Sequence, residues 1–554
     1  MNKNATDLIR KVEREVLDTY HRTFALLRRS QKVAIVNLLR IHGNSLREMR
    51  RSYAASTDTA IITRLNALTA GTTQAIRWAL TETEANGDNY TVATPQLDRE
   101  TMDLWVWATN YMSLAADHIA WSRGVLAAAV DENTRTISFH PSRDYDHSFF
   151  IGQLFSWQKQ FEYFLTSAPA PALAALYREW TRRMRRDESG IHIPPDFATR
   201  IRPMGTLLEW ARSRILPEID AESDFAGYTL REFCRVYAVL WTHAFCICAF
   251  EDAYDQRYGE THDLGSSCFT MPAKEAYEWL ARGCDLSKTI VSEIVKDLAF
   301  NHASIHSSFA FQPIVMTSDQ WVVISPRVFM TTDPYRMLSG ALQSGKRRHC
   351  YEAIANSLEA SRVEQIANAF STRGFTVAQK HRLSSNRRTG TPDLVVYSDG
   401  DNELLLIEYK HSISPPEPAM VAKRLMEADK WVSRLLLYRD LLSRDRQARA
   451  RLGCRVPTGP SYLLLLYGFP MMMPLGTTGD VAVGDWTSVH EIITENPRLT
   501  LSGLWRWAKE RPDVAHLSKA ATNVFQEIKV GEWTYVHPVI ALEDGDYRQR
   551  QGRP

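Results

Sequence analysis

Apolar residues recur at helical spacing through roughly the first 300 positions and at strand spacing after Phe309, so the chain cannot be all-α or all-β. Leu8, Val12, Val16, Tyr20 and Phe24 fall every four residues, one stripe of an amphipathic helix. The same spacing runs through 104–130, 154–165, 172–186, 206–215, 230–254 and 273–300, with breaks at 86–90, 136–146, 169–171 and 190–195. After the switch, 311–317 and 321–325 are short runs rich in Val, Ile and aromatics, which predicts a hairpin turning at 318–320. A helix follows over 348–372, with Gly374 placed to end it. Strands are expected at 375–383, 394–397, 403–409 and 462–467, and a long helix at 420–452 after the break at Pro415, Pro416 and Pro418. The tail reads as mixed, with an apolar helix over 501–508. The expected fold class is therefore mixed: a large all-α N-terminal region, then an α/β domain with a central mixed sheet. The expected divisions are 1–305 helical, 306–345 a hairpin connector, 346–490 the α/β domain, and 491–554 a mixed extension.

Composition narrows the partners. Of 554 residues, 44% are hydrophobic and 23% charged, close to ordinary soluble proteins, and the net charge is only +2. A polyanion partner must therefore be sought in local charge. Seven cysteines with no CxxC pair read as free buried thiols in a reducing compartment. The polar N-terminus lacks a secretory apolar core, and the most apolar run, 236–250, falls short of the ~20 residues a spanning helix needs. A cytoplasmic protein without membrane contact is the expectation.

Chemistry concentrates in 391–410, TPDLVVYSDGDNELLLIEYK. Asp393 precedes one apolar strand, an Asp-Gly turn follows, and Glu408 and Lys410 end a second strand on one face. With an even-length loop, opposed residues have an odd index sum, which places Asp393 on the Glu408/Lys410 face. A loop of two or four residues centred on Gly400 and Asp401 sets Asp393 opposite Glu408. Two carboxylates beside a lysine suit a hard ion, Mg²⁺ or Mn²⁺, that also holds a substrate phosphate. The backbone carbonyl of Tyr409 is a further candidate ligand, and Lys410 would orient the attacking water or the phosphate. The bare pattern recurs by chance in about one chain in five of this length, and the chain holds a decoy, Asp513 with Glu527 and Lys529. Only Asp393 sits in strand–turn–strand context after a helix.

The order helix, Gly-Phe, strand, PD strand, turn, apolar ExK strand, helix, strand resembles the PD-(D/E)XK nuclease superfamily, in the layout of its Mrr-like restriction endonuclease members. It covers about 140 residues, roughly 348–484. The resemblance implies a restriction-endonuclease-like fold and metal-dependent hydrolysis of phosphodiesters, expected to be those of DNA. It makes Asp393 and Glu408 metal ligands and Lys410 the residue serving the nucleophile. Glu364, ten residues before Gly374-Phe375, becomes the helix acid that binds or positions metal. The exonuclease branch carries Gln-x-x-x-Tyr on the next helix; here Arg434 stands four before Tyr438 instead, a candidate phosphate contact.

Local charge agrees with a nucleic-acid partner. Residues 365–392 hold no acid but Arg373, Lys380, Arg382, Arg387 and Arg388, and 421–455 carry ten bases against four acids. Lys380, Arg382, Arg387, Arg388 and Arg434 are the candidate nucleic-acid contacts, and the basic turn 346–349 is a further one. For 421–455 a solvated helix face explains the charge equally well. His302 with His306, and the run Arg182, Arg183, Arg185, Arg186, read as structural or solvated, and the scattered tryptophans read as core. The helical region, too large for a linker, is expected to sense or bind a protein partner or a second copy, as in restriction or anti-phage effectors. The rival reading is a non-catalytic nucleic-acid-binding or assembly protein that keeps a nuclease-like fold.

Overall fold

The computed structural model describes residues 3–55, 59–84, 94–122, 126–141, 185–187, 190–192, 221–258, 268–303, 307–309, 311–332, 334–343, 347–385, 388–411, 418–444, 460–468, 479–511 and 521–542. The architecture is mixed, as the switch in spacing requires, with a largely helical N-terminal region. It divides into two compact units that cut across the expected linear divisions. One comprises Met1–Ile9, Leu114–Lys159 and Ala353–Pro554, the other Arg10–Ser113 and Gln160–Glu352.

The second of these units is built on helices that include Gln31–Ala55, Thr59–Glu82 and Leu230–Tyr258. The predicted hairpin forms there: Ile314–Met316 pairs antiparallel with Trp321–Ile324, which also pairs with Phe269–Pro272. The hairpin is therefore part of a small three-stranded sheet, with Trp321–Ile324 at its centre and Ile314–Met316 at one edge, rather than a connector. Leu230–Asp252 is the one stretch among the described residues long and apolar enough to cross a bilayer, and 78% of its apolar window is buried inside the protein. Phe233, Tyr237 and Trp241 along it are core residues. The six described cysteines are free thiols; Cys454 lies outside the described residues.

In the unit that contains the PD/ExK segment, helix α1 (Arg348–Thr372) leads to a five-stranded sheet. Its strands are β1 (Thr376–Gln379), β2 (Leu394–Ser398), β3 (Glu403–Lys410), β4 (Ser461–Tyr467) and β5 (Val481–Asp485). They lie in chain order across the sheet. β1–β2 and β2–β3 are antiparallel, and β3–β4 and β4–β5 are parallel. The parallel step needs a crossover, which helix α2 (Pro418–Arg444) supplies. Gly374 takes φ +83° at the end of α1, a left-handed turn that suits glycine. The expected strand 375–383 stops at Gln379 because Lys380 turns to φ +46°; Leu383–Ser385 then pairs with Arg388–Gly390 in a separate small hairpin.

Strand alternation builds two apolar layers. Val395, Tyr397, Leu404 and Leu406 face α2 with Val432, Leu435 and Leu442. Leu394, Val396, Leu405, Ile407 and Tyr409 face α1 with Val363, Ile366 and Phe370. Full burial of each such side chain contributes about 1.5–3 kcal/mol, which is why a sheet buried on both faces reads as continuous apolar runs. The second layer also takes Ile493, Leu501, Leu504 and Ala508 from helices α3 (Trp486–Glu495) and α4 (Leu501–Glu510). The sheet core thus continues past 490, the expected end of this domain.

Two expectations of helix are corrected. The helix through 104–130 ends at Ser122, and Leu126–Asp131 and Thr136–Pro141 form an antiparallel pair. That pair joins Trp533–Leu542 and Ala521–Val530 in a four-stranded sheet, so the region before 305 is not all-α. Arg185–Asp187, the end of the expected helix 172–186, pairs with Gly190–His192. The expected helices 154–165 and 206–215 lie outside the described residues.

Candidate active site

The β2–β3 turn fixes the site. Ser398 pairs with Glu403, which leaves a four-residue loop centred on Gly400 and Asp401. Ser398 Oγ donates to Asp401 Oδ2 at 2.8 Å, and Asn402 takes φ +53°. Leu394 pairs with Ile407, so the same register sets Asp393 across from Glu408, as the parity argument expects. Asp393, Glu408 and Lys410 share the α2 side of the sheet with Val395 and Leu406.

Four charged side chains meet there. Lys410 Nζ lies 3.2 Å from Glu408 Oε1 and 3.7 Å from Asp393 Oδ2. It donates to Glu359 Oε1 at 3.0 Å, and the His411 amide donates to Glu359 Oε2 at 3.4 Å. The Tyr409 amide donates to Asp393 Oδ2 at 2.9 Å, pinning that carboxylate to β3. Side-chain exposure rises from 4% at Glu408 through 13% at Lys410 and 18% at Asp393 to 29% at Glu359, so the cluster opens from a dry floor to a wetter rim.

The acid of α1 that joins the cluster is Glu359, not Glu364. Glu364 is exposed and has no place in the cluster. Five residues are about 500° of α-helix, so the two side chains leave the axis roughly 140° apart. A signal for Glu359 exists in the sequence: 359, 363, 366 and 370 form one stripe, and Val363, Ile366 and Phe370 are its buried members. An acid that continues a core-facing stripe is misplaced unless it meets a charge.

Burial and mutual repulsion set the protonation of the cluster. Burial, and then the Asp393 charge, push Glu408 up to about 7, against the pull of Lys410. Burial likewise raises Asp393, opposed by Lys410 and the Tyr409 amide. For Lys410 burial acts downward, but Glu408, Asp393 and Glu359 outweigh it and the ammonium is held above its usual range. His411 is lowered to about 4 by burial, with Arg362 adding to it.

The donor set fits a hard divalent ion. Three carboxylates converge, and Glu408 Oε2 is buried without a hydrogen-bond partner. Among the described residues no group of three Asp, Glu, His or Cys side chains is arranged to hold a metal ion; the three acids here each approach the Lys410 ammonium instead.

Lys380, Arg382 and Arg388 are exposed, and the Lys380 amide donates to the Asp393 carbonyl at 3.0 Å. Arg387 lies outside the described residues. Arg434 is exposed on α2, its Cζ 4.4 Å from the centroid of the Trp431 ring. Trp431, read as core on the sequence, also has Lys410 Nζ 4.2 Å from its centroid. The basic turn before α1 does not face a substrate as a unit: Arg347 is fully buried, bonded to Glu293, Asp297 and the Phe225 and Ala226 carbonyls. The decoy is far simpler: Glu527 and Lys529 are exposed on Ala521–Val530, while Asp513 lies outside the described residues, as does His306. Compared with protein-family models, curated proteins and solved structures, the chain matches none.

Proposed function

We propose that this chain is a metal-dependent nuclease whose catalytic domain is a restriction-endonuclease-like fold of the PD-(D/E)XK type, acting on DNA. The observation that carries the reading is the meeting of Asp393, Glu408 and Glu359 around Lys410 at the end of two apolar strands. The order α1, β1, β2, β3, α2, β4 matches the order on which the resemblance rests. Exposed Lys380, Arg382, Arg388 and Arg434 supply the local positive charge that a phosphate backbone requires.

Asp393, Glu408 and Glu359 would hold Mg²⁺ or Mn²⁺, with the Tyr409 carbonyl as a further ligand. The bound ion supplies Lewis-acid polarisation of the phosphoryl oxygen and a lowered pKa for its water. Asp393 is oriented for this by the Tyr409 amide, and Glu408 by the strand that buries it. Lys410, kept charged by its acidic neighbours, orients the water and the scissile phosphate. Arg434 and Lys380 hold flanking phosphates. Water then attacks phosphorus and the P–O bond to the leaving sugar oxygen breaks. The helical region is proposed to bind a protein partner or second copy that governs access, as in restriction or anti-phage effectors; that role rests on architectural analogy.

The test compares wild type with Asp393→Ala on plasmid, single-stranded DNA and RNA, in Mg²⁺ and in EDTA. DNA cleavage that needs Mg²⁺ and falls by about a hundredfold or more in the variant is expected. Cleavage unaffected by Asp393→Ala places the activity elsewhere. No cleavage of any substrate favours the rival, a nucleic-acid-binding protein with a nuclease-like fold.

A further inference from the structure

Lys410 stands where the acidic cluster concentrates its negative charge. Its Nζ is within 3.0 Å of Glu359, 3.2 Å of Glu408 and 3.7 Å of Asp393, so one ammonium serves three carboxylates. A divalent ion bound by the same oxygens would compete with that ammonium directly, since two cations at such range repel strongly in a dry site. The ammonium has one partner that an ion does not claim. The indole of Trp431 lies 4.2 Å from Nζ, and its π face attracts a cation without needing a carboxylate. Trp431 is half-buried and packs beside the layer of Val432 and Leu435, so its ring is held by α2.

We infer, resting on the metal-dependent reading above, that Lys410 is the built-in counter-cation of the carboxylates and yields them to a divalent ion, and that Trp431 is the positioning residue that keeps the yielded ammonium at the site. The ring matters more once the ion has taken the acids, because it is then the ammonium's remaining protein partner. Loss of the lysine therefore strengthens ion binding, and loss of the ring weakens it. A purely structural tryptophan predicts neither dependence on an aromatic ring nor a link to the lysine.

Calorimetric titration of Mn²⁺ into the full chain, without nucleic acid, tests this. Wild type, Asp393→Asn, Lys410→Met, Trp431→Leu and Trp431→Phe are compared, with thermal melts in EDTA to verify folding. Lys410→Met is expected to bind Mn²⁺ at least about tenfold more tightly. Trp431→Leu is expected to bind about three- to tenfold more weakly, and Trp431→Phe within about twofold of wild type. Wild-type binding that Asp393→Asn abolishes, together with equal affinities of the leucine and phenylalanine variants or no gain in Lys410→Met, overturns this inference and leaves the hydrolase reading standing. Should Lys410→Met fail to fold, the leucine and phenylalanine pair decides alone. No Mn²⁺ binding by wild type overturns both.

Discussion

Glu359 and Glu364 stand five positions apart on one helix, and only Glu359 reaches Lys410. Glu359→Gln keeps the size and one of the two accepted hydrogen bonds but removes a charge from an acid that is 29% exposed. It is expected to lower cleavage by about tenfold or more, with Glu364→Gln within about twofold of wild type. Rates of the two variants measured side by side check this, and equal losses would return Glu364 to consideration. The contrast shows what was legible at this scale. Asp393, Glu408 and Lys410 follow from alternation and turn parity, because a strand pair allows few registers once one face is apolar. Spacing from Gly374 points to Glu364, but distance along a helix does not say which face a side chain leaves from. Trp431 carries no motif at all. Its role arises where α2 crosses the end of β3, a contact between segments that spacing within either one does not reveal.

At the scale of elements, α1, β2, β3 and β4 stand within a residue or so of their expected bounds, because the strands are apolar runs bounded by turns and α1 carries a helical stripe ended by Gly374. The strands Leu126–Asp131 and Thr136–Pro141 escaped notice since their sheet is completed by Trp533–Leu542, some four hundred positions away in sequence. No local pattern reports a partner that distant. One close approach ties the small basic hairpin to α2. A Cβ on Gly390 would stand 2.6 Å from Tyr438 Cδ1 and 3.2 Å from Leu441 Cδ1, so α2 or the hairpin must move to admit it. Gly390→Ala is expected to destabilise by about 1–3 kcal/mol through overpacking, and to slow cleavage, since α2 also carries Trp431 and Arg434. Tyr438→Leu removes the ring and makes room. Thermal melts of the two single variants and the double variant should show alanine costing less in the leucine background. An unchanged cost would mean that the contact with Tyr438 is not what excludes a side chain at 390.

In the unit that holds His42 and His243, stability should fall on mild acidification, and these histidines set the sign there, whereas Glu408 in the other unit, raised to about 7, contributes in the opposite direction. His42 is fully buried on helix Gln31–Ala55, its Nδ1 2.8 Å from Thr72 Oγ1, whose oxygen also accepts from Trp105 Nε1. Burial lowers its pKa from 6.5 to about 3. His243, edge-on to the rings of Phe269 and Trp279, is lowered to about 4 for the same reason. A histidine lowered by folding is neutral in the native protein and protonated in the unfolded chain across the interval between the two pKa values. The unfolded state then binds more protons, so stability is complete above about pH 6.5 and drains away as pH falls toward the folded values. Each histidine removes about 2 kcal/mol by pH 5, an order-of-magnitude figure from the 1.36 kcal/mol per pH unit of linkage. The melting temperature is therefore expected to drop between pH 7.5 and 5. His42→Asn, whose amide can reproduce the bond to Thr72 and does not titrate, should flatten that drop even if it lowers the melting temperature at pH 7.5. Parallel curves for wild type and variant would show that His42 is not the group being protonated. Both histidines belong to the unit without the carboxylate cluster, so their contribution to the slope should survive Asp393→Ala, which separates this acid sensitivity from any titration at the carboxylate cluster.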